Sequence, residues 1–388
     1  MNSRTAATFN GPTTSEDPWD DDVLRDPYPF YAELRDHGSA VWLERYDMVA
    51  IPRFHAARDT LLDWRTFSSA SGVGVDAETN ENAPRGVLMS DPPKHGTLRR
   101  ILDRQLSPRR VRAEANRIEK IANKLLAPVV ARTGIDAVTD LSQPYIEAVI
   151  GEITGIPAAE RHHMAQRSKK AFATFGPTGP RQRSGFATAV EIVAHATRVA
   201  DRVCPGSRGA ELVAHGQADA IINYTWPGID TAVNALSSVL YLLARHPEQW
   251  ELLRADPSLV PAATAEALRV LAPIRHFTRL ATTSTAIGDV TIPAGTRVMI
   301  MYGSANRDER RFPEPDVFDI TRQQGRHLAF GQGVHHCVGA TLARREVDTM
   351  LHALLKQVRS IELLCDPVWT RNTVTYGPEV LPVKFVTT

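Results

Sequence analysis

Residues 327 to 346, HLAFGQGVHHCVGATLARRE, set one cysteine among glycines and histidines and then run into a helical pattern. A thiol on such a platform can be a metal or haem ligand, a nucleophile, a redox switch or a small buried side chain. Gly331, Gly333 and Gly339 mark places where the backbone turns tightly or approaches a flat partner. Beyond the cysteine, Val338, Leu342, Val347, Leu351, Leu354, Leu355 and Val358 recur at helical spacing. Cys337 is therefore expected at or just before a helix N-terminus, where the dipole and free N–H groups favour a thiolate. His335, His336 and Cys337 are consecutive, a poor fit to the spaced ligands of a zinc site. Cys204 and Cys365 read as buried small side chains, and three widely spaced cysteines with no Cys-x-x-Cys pair give no reason to expect a disulfide.

Further groups could do chemistry or hold charge. Gly228, Asp230 and Thr231 lie near the middle of ADAIINYTWPGIDTAVNALSSVLYLLARHP, an apolar helical stretch from Ala218 to Pro247. A buried acid and alcohol are costly there unless used, and an N-cap reading fails because apolar helix is expected on both sides. Pro227 lacks an N–H and clashes with the carbonyl four residues back, so the Asn223 carbonyl should be freed and the helix kinked or widened. Glu266 and Arg269 share one helical face, and on spacing alone they read as a surface ion pair. His95 and Arg99 share another, and each of them, like Arg279, reads by itself as a solvated residue.

Taken whole, Phe330-Gly331-x-Gly333-x-His335-x-Cys337-x-Gly339 resembles the haem-binding signature of the cytochrome P-450 superfamily at every defined position. The resemblance implies haem b with the Cys337 thiolate as the axial ligand of iron, Phe330, Gly331 and Gly339 packed around it, and His335 bonding a propionate. It also implies that His95, Arg99 and Arg279 complete a propionate clamp. Asp230 and Thr231 resemble the family's distal acid–alcohol pair, with Asp230 passing protons from solvent and Thr231 holding water at the oxygen site. The family's usual alanine before the groove glycine is here Pro227. Glu266-Ala267-Leu268-Arg269 resembles the family's structural Glu-x-x-Arg, and PEPDVFDITR resembles its meander, with Arg322 completing the network.

The implied fold is mainly α with a minor β portion, the haem lying between a long distal helix and a proximal cysteine loop and helix. The local pattern agrees. DPYPFYAELRDHG suits a short helix stopped by Gly38, AVWLERYDMVAIPR a hairpin, and FHAARDTLLDW a helix. From DPPKH to about residue 270 the chain is nearly all helix-patterned, and strand signals return in TSTAIGDVTIPAGTRVMIMYGSANRD. With no internal repeat and no convincing linker, residues 1–388 are expected to form one domain, behind a loose polar arm of about eighteen residues.

A formal net charge of +1 with no long block of like charge gives no sign of nucleic-acid binding. No run approaches the roughly 18 apolar residues of a membrane span, so the chain reads as cytoplasmic. The resemblance implies a monooxygenase that uses O2 and takes electrons from a ferredoxin and an NAD(P)H-dependent ferredoxin reductase. Arg100, Arg104, Arg109, Arg110, Arg344 and Arg345 are candidates for the docking patch. SSASGVGV, FGPTGPR and GSANRDERR look like the branch that hydroxylates or O-demethylates para-substituted benzoates. The pocket that branch implies takes in Leu88, Phe172, Phe175, Trp226, Pro227 and Phe277. Its carboxylate anchors, however, are matched here by Asn223, Ile222 and Asn82, with Arg85 as a possible replacement. A neutral methoxyphenol is therefore equally open. The alternative is a monooxygenase of a terpenoid, fatty acid or secondary metabolite, or a non-oxygenating haem-binding protein.

Overall fold

A computed structural model describes residues 9–83, 86–161, 163–323 and 325–387. Apolar, β-favouring runs build its main sheet. Thr13–Thr14 (β1) lies parallel to Val41–Leu43 (β2), which turns back into Met48–Ile51 (β3) as an antiparallel hairpin. Phe67–Ser68 (β4), Phe277–Ala281 (β5) and Arg297–Ile300 (β6) complete the order β1-β2-β3-β6-β5-β4 among the described residues. Strands β3 and β6 run parallel with Met48 opposite Arg297, whereas β5 and β6 run antiparallel with Phe277 opposite Ile300. The two-residue period of β5 puts Phe277 and Arg279 on one face.

The arm is shorter than its polarity suggests. Phe9 packs on Trp42 at 5.3 Å between ring centroids, and Asn10 pairs with the backbone of Asp289 and Thr291. The buried Trp19 donates through Nε1 to the Thr373 carbonyl at 3.0 Å. Two aromatic anchors and an edge-strand pairing outweigh the glycine and prolines between them. The first eight residues of that arm lie outside the described set.

The helical body includes Lys94–Gln105 (α1), Met164–Phe172 (α2), Pro180–Ala200 (α3), Ile222–Thr225 (α4), Asp230–Arg245 (α5), Val260–Val270 (α6) and Ala340–Leu355 (α7). The largest apolar core joins Leu236, Leu240 and Leu243 of α5 to Leu268 of α6 and to Val347, Met350 and Leu354 of α7. Helix α5 is buried on almost every side, its Asn234, Ser237 and Ser238 included, because neighbouring elements enclose it. Among the described residues no helix is long and apolar enough to cross a membrane.

Two expectations need correction. Val358 does not continue α7: the chain turns at Lys356 and Gln357, and Val358–Leu363 becomes a strand paired antiparallel with Pro382–Thr387. A three-residue step between apolar side chains fits both outcomes, so the period could not separate them. Cys204 and Cys365 are exposed, the first just ahead of the Pro205-Gly206 turn and the second in a bend with Leu364, and all three cysteines are free.

Spacing alone left Glu266 and Arg269 as a surface pair, but the resemblance implied a structural network with Arg322, and the two are 0% and 2% exposed. Both Glu266 oxygens accept from Arg269 at 2.8 Å, and Oε1 also accepts from Arg322 Nε at 2.9 Å. The remaining guanidinium N–H groups donate to the carbonyls of Asn306, Pro313, Glu314, Pro315 and Val317. Breaking a buried charge network by removing one partner costs about 3–5 kcal/mol. Glu266→Ala should therefore lower stability by that amount in urea unfolding. Loss under about 1 kcal/mol would contradict the assignment, because that is the value of an exposed pair.

Candidate functional site

The cysteine loop is shaped by its own backbone. Gly331 and Gly333 adopt φ of 63° and 72°, and a Cβ on Gly333 would lie 2.6 Å from the Leu61 carbonyl oxygen. The Cys337 amide donates to the Phe330 carbonyl at 2.8 Å, and Arg99 donates to the His336 carbonyl at 2.6 Å. Arg344 covers the Phe330 ring at 4.4 Å. Gly339 differs, since a Cβ there would meet only Cys337 Sγ, at 3.8 Å, so nothing in the chain itself demands glycine. Cys337 precedes α7 by three residues, and its thiol opens onto an internal cavity while protein surrounds it. Burial pushes the thiol pKa up, opposed by the Gly339 and Ala340 amides and the charges of Arg99 and Arg344.

Across that cavity the distal helix is broken. Helix α4 stops at Thr225 and α5 starts at Asp230, with Pro227 in the gap, as the missing N–H requires. Asp230 therefore lies in the first turn of α5 and not within a continuous helix; apolar residues on both sides had hidden the end. Gly228 permits the crossing, because a Cβ would sit 2.7 Å from the Tyr224 carbonyl oxygen. Thr231 Oγ1 donates back to the Pro227 carbonyl at 2.8 Å, leaving its oxygen free to accept from the cavity side.

Asp230 is 3% exposed, and burial pushes its carboxyl up to about 6, against the opposing pull of Lys169, Thr375 and Asn234. Its Oδ2 has no hydrogen-bond partner among the described residues. Lys169 pairs with Glu379 at 2.8 Å nearer the surface.

One end of the cavity is cationic. His95 on α1 and His335 on the loop stand edge to face at 4.4 Å, and the Nε2 of each is buried without a partner. Arg279 joins them from β5 and Arg99 from α1, although Arg99 is also held by Asp103 at 2.8 Å. The nearest acid to His335, Asp91, is 4.0 Å away, and burial, then Arg279, push this imidazole down to about 3. Four cationic or donor groups thus converge, with the half-exposed Asp103 bonded to Arg99 alone. That arrangement fits a buried dianion, and together with an unbridged thiol and a glycine kept free of side chain it fits haem with its two propionates.

Leu88, Phe172, Asn223, Pro227 and Phe277 line the same cavity. Phe175 and Trp226 stand behind the wall, stacked on each other at 5.6 Å, and Phe175 meets Phe277 edge-on at 5.8 Å. Arg85 lies outside the described residues. The Asn82 and Asn223 amides are committed to the carbonyls of Glu78 and Ala220. Glu346 was missed: it lines the cavity nine residues after Cys337, burial pushes its carboxyl well up, and Oε1 lacks a partner. An acid four residues after Leu342 on an apolar helix face was the available signal. Of the arginines expected in a docking patch, Arg110 is held by Glu211 at 3.0 and 2.5 Å and Arg104 reaches Gln217, whereas Arg344 and Arg345 border a shallow concavity with Arg112 and His352.

A broken distal helix facing a cysteine loop across an apolar, cation-ended cavity defines the class of haem-thiolate oxygenases. The family profile described as Cytochrome P450 matches residues 207–362. Cytochrome p450 CYP199A2 of Rhodopseudomonas palustris is 33% identical over 95% of this chain and 93% of its own length. Nocardicin C N-oxygenase of Nocardia uniformis subsp. tsuyamanensis is also 33% identical, over 95% and 98%. The structure of cytochrome P450 CREJ in complex with (4-ethylphenyl) dihydrogen phosphate superposes with a TM-score of 0.85 at 27% identity, covering 95% of this chain and 99% of that one. The chain belongs to the cytochrome P450 family; it is an oxidoreductase of the monooxygenase kind, and its cofactor is haem with an axial cysteine thiolate.

The Asp230 carboxyl supplies a pH test. Its folded value of about 6 lies above the ordinary 3.8, so the fold binds the proton more tightly than the unfolded chain does. The advantage of the neutral acid is complete below pH 3.8 and is lost as pH rises through 6, a difference of about 3 kcal/mol at most. Asp230→Asn removes it. The variant should be more stable than wild type at pH 8, and the gap should close between pH 6 and pH 4 in urea titrations of the haem-loaded protein. A gap independent of pH would place the carboxyl in water.

Proposed function

We propose that this P450 hydroxylates or oxidatively O-demethylates a small aromatic compound, of the size of a para-substituted benzoate or a methoxyphenol. The observation that carries the oxygenase reading is the opened helix end, where Thr231 lines the same cavity as Cys337 and the buried Asp230 stands next to it in the chain. Bound haem supplies the centre at which O2 is reduced by two electrons and one oxygen atom is delivered to a C–H bond. Cys337 is the proposed iron ligand, and His95, Arg99, Arg279 and His335 hold the propionates. Asp230, near neutrality and close to the Lys169–Glu379 pair, takes up a proton and releases it inward. Thr231, its own proton engaged by Pro227, accepts a hydrogen bond from water in the cavity.

The substrate reading rests on Phe172 and Phe277, flat walls backed by the Phe175–Trp226 stack. A 4-alkylphenyl ester bound to the similar P450 CREJ supports a slot of this kind. Because Asn82 and Asn223 are already bonded to their own backbone, a neutral methoxyphenol is the second reading. Electrons come from a ferredoxin and its NAD(P)H-dependent reductase, with Arg109, Arg112 and Arg345 as the exposed or part-exposed basic side chains on offer.

A Soret titration of the ferric protein tests the substrate class. A low-to-high-spin shift with 4-methoxybenzoate or 4-methoxyphenol and none with terpenes or fatty acids is expected; the reverse pattern removes the aromatic reading. Reversing Arg109 and Arg112 to Glu should slow ferredoxin-driven turnover about tenfold at low salt, an effect fading as salt rises, while peroxide-driven turnover stays the same. Equal loss in both assays would place the two arginines outside the docking surface.

A further inference from the structure

Opening a helix inside an apolar core leaves N–H and C=O groups that must find partners. In an unbroken helix the Asp230 amide would bond to the Trp226 carbonyl four residues back. Here a side chain stands between them. Ser168 Oγ, on α2, lies 2.5 Å from the Trp226 oxygen and 3.2 Å from the Asp230 nitrogen. A carbonyl only accepts and an amide only donates, so Ser168 donates to Trp226 and accepts from Asp230. Ser168 is 0% exposed, and its hydroxyl therefore meets little competition from bulk solvent.

The insertion is local but its neighbours are not arbitrary. The next residue on α2 is Lys169, whose charge acts on Asp230, and one turn further Phe172 lines the cavity. On the other side of the gap, Thr231 closes back onto Pro227. Pro227 makes the break, since it can supply no N–H, whereas the width of the gap at Asp230 is set by the hydroxyl wedged into the ladder.

We propose that Ser168 is a positioning residue for proton delivery: its hydroxyl, inserted between the Trp226 carbonyl and the Asp230 amide, holds the groove open and fixes the buried Asp230 beside Thr231, which lines the cavity. This rests on the role given to Asp230 and Thr231 above. Ser168 touches neither substrate nor haem and acts through the backbone of the helix end. Nothing in the pattern QRSKKAF distinguishes it from a serine on a polar helix face, so only the structure reveals it.

The test uses the haem-loaded full chain as Ser168→Ala, Ser168→Thr and Asp230→Asn. Hydrogen exchange at the Asp230 amide, which needs no substrate, should quicken about tenfold in Ser168→Ala, the scale of one lost buried hydrogen bond, and stay within about twofold of wild type in Ser168→Thr. With a surrogate ferredoxin, its reductase and 4-methoxyphenol as probe, Ser168→Ala should divert electrons from product to hydrogen peroxide about tenfold more than wild type. Its reduced carbon monoxide spectrum should stay unaltered, and Ser168→Thr should restore the partition. Wild-type exchange and partition in a haem-replete Ser168→Ala would overturn the proposal. Asp230→Asn separates the two layers: if it too leaves the partition unchanged, the proton-relay reading fails, and if it alone diverts electrons, only the role of Ser168 fails. Should Ser168→Ala lose its haem, Ser168→Cys, of similar volume but a weak donor, decides by the same two readouts.

Discussion

A carboxylate buried at 0% exposure must be neutralised where it stands, and Glu266 imposes that condition on the segments packed around it. Arg269 and Arg322 meet its charge, but two guanidinium groups bring more N–H donors than one carboxylate can accept. The surplus donors draw in carbonyls from residues 306 to 317. Asn306 then passes the constraint on: its backbone oxygen accepts from Arg269, and its side-chain Oδ1 accepts from the Leu328 amide at 2.6 Å. Leu328 begins the loop that ends at Cys337, and its carbonyl accepts from Gly331 at 2.8 Å. The position of the thiol is thus tied, through one buried charge and a short chain of hydrogen bonds, to helix α6.

The distal side solves the opposite problem. There the polar groups are few and the surroundings apolar, so each unsatisfied group is expensive and each partner has large leverage. Pro227 removes a donor, Gly228 lets the chain pass Tyr224, and single hydroxyls from Thr231 and Ser168 take up the carbonyls at Pro227 and Trp226. Asp230 sits at the new helix N-terminus, where the dipole would favour its charge, yet burial wins and leaves the acid near neutrality. An acid so balanced can exchange a proton at ordinary pH, which neither a surface aspartate nor a fully apolar one would do readily.

How far this could be read beforehand depended on whether the deciding force was local. The cysteine loop was legible because positive φ and close approach require glycine at 331 and 333 whatever the rest of the chain does. The break at Pro227 was legible for the same reason, since a missing N–H is a property of one residue. The hairpin Val41–Ile51 carried its own β pattern. Strand β5 and the C-terminal strands did not, because Phe277–Ala281 becomes a strand only by pairing with β4 and β6, and its Arg279 is buried by tertiary contacts. The burial of Glu266 and Arg269 was invisible to spacing for a like reason: an i, i+3 pair looks the same in water and in a core. Phe175 and Trp226 were placed in the pocket by region, but stacking on each other turned them into its backing.

The two halves of the cavity therefore differ in what they can discriminate. The cationic end, with His95, His335, Arg99 and Arg279, is suited to a dianionic group. The substrate end offers Phe172, Phe277, Leu88 and Pro227, and the Asn223 amide beside them gives one of its two N–H groups to the Ala220 carbonyl. A charged substrate group pressed against that wall would lose hydration and needs a partner beyond these side chains to recover it. An apolar wall separates ligands by shape, at about 1–3 kcal/mol per methylene, and not by charge. Selectivity here is consequently a matter of ring width and para-substituent length set by α2 and β5, with the Phe175–Trp226 stack fixing how far Phe277 can retreat.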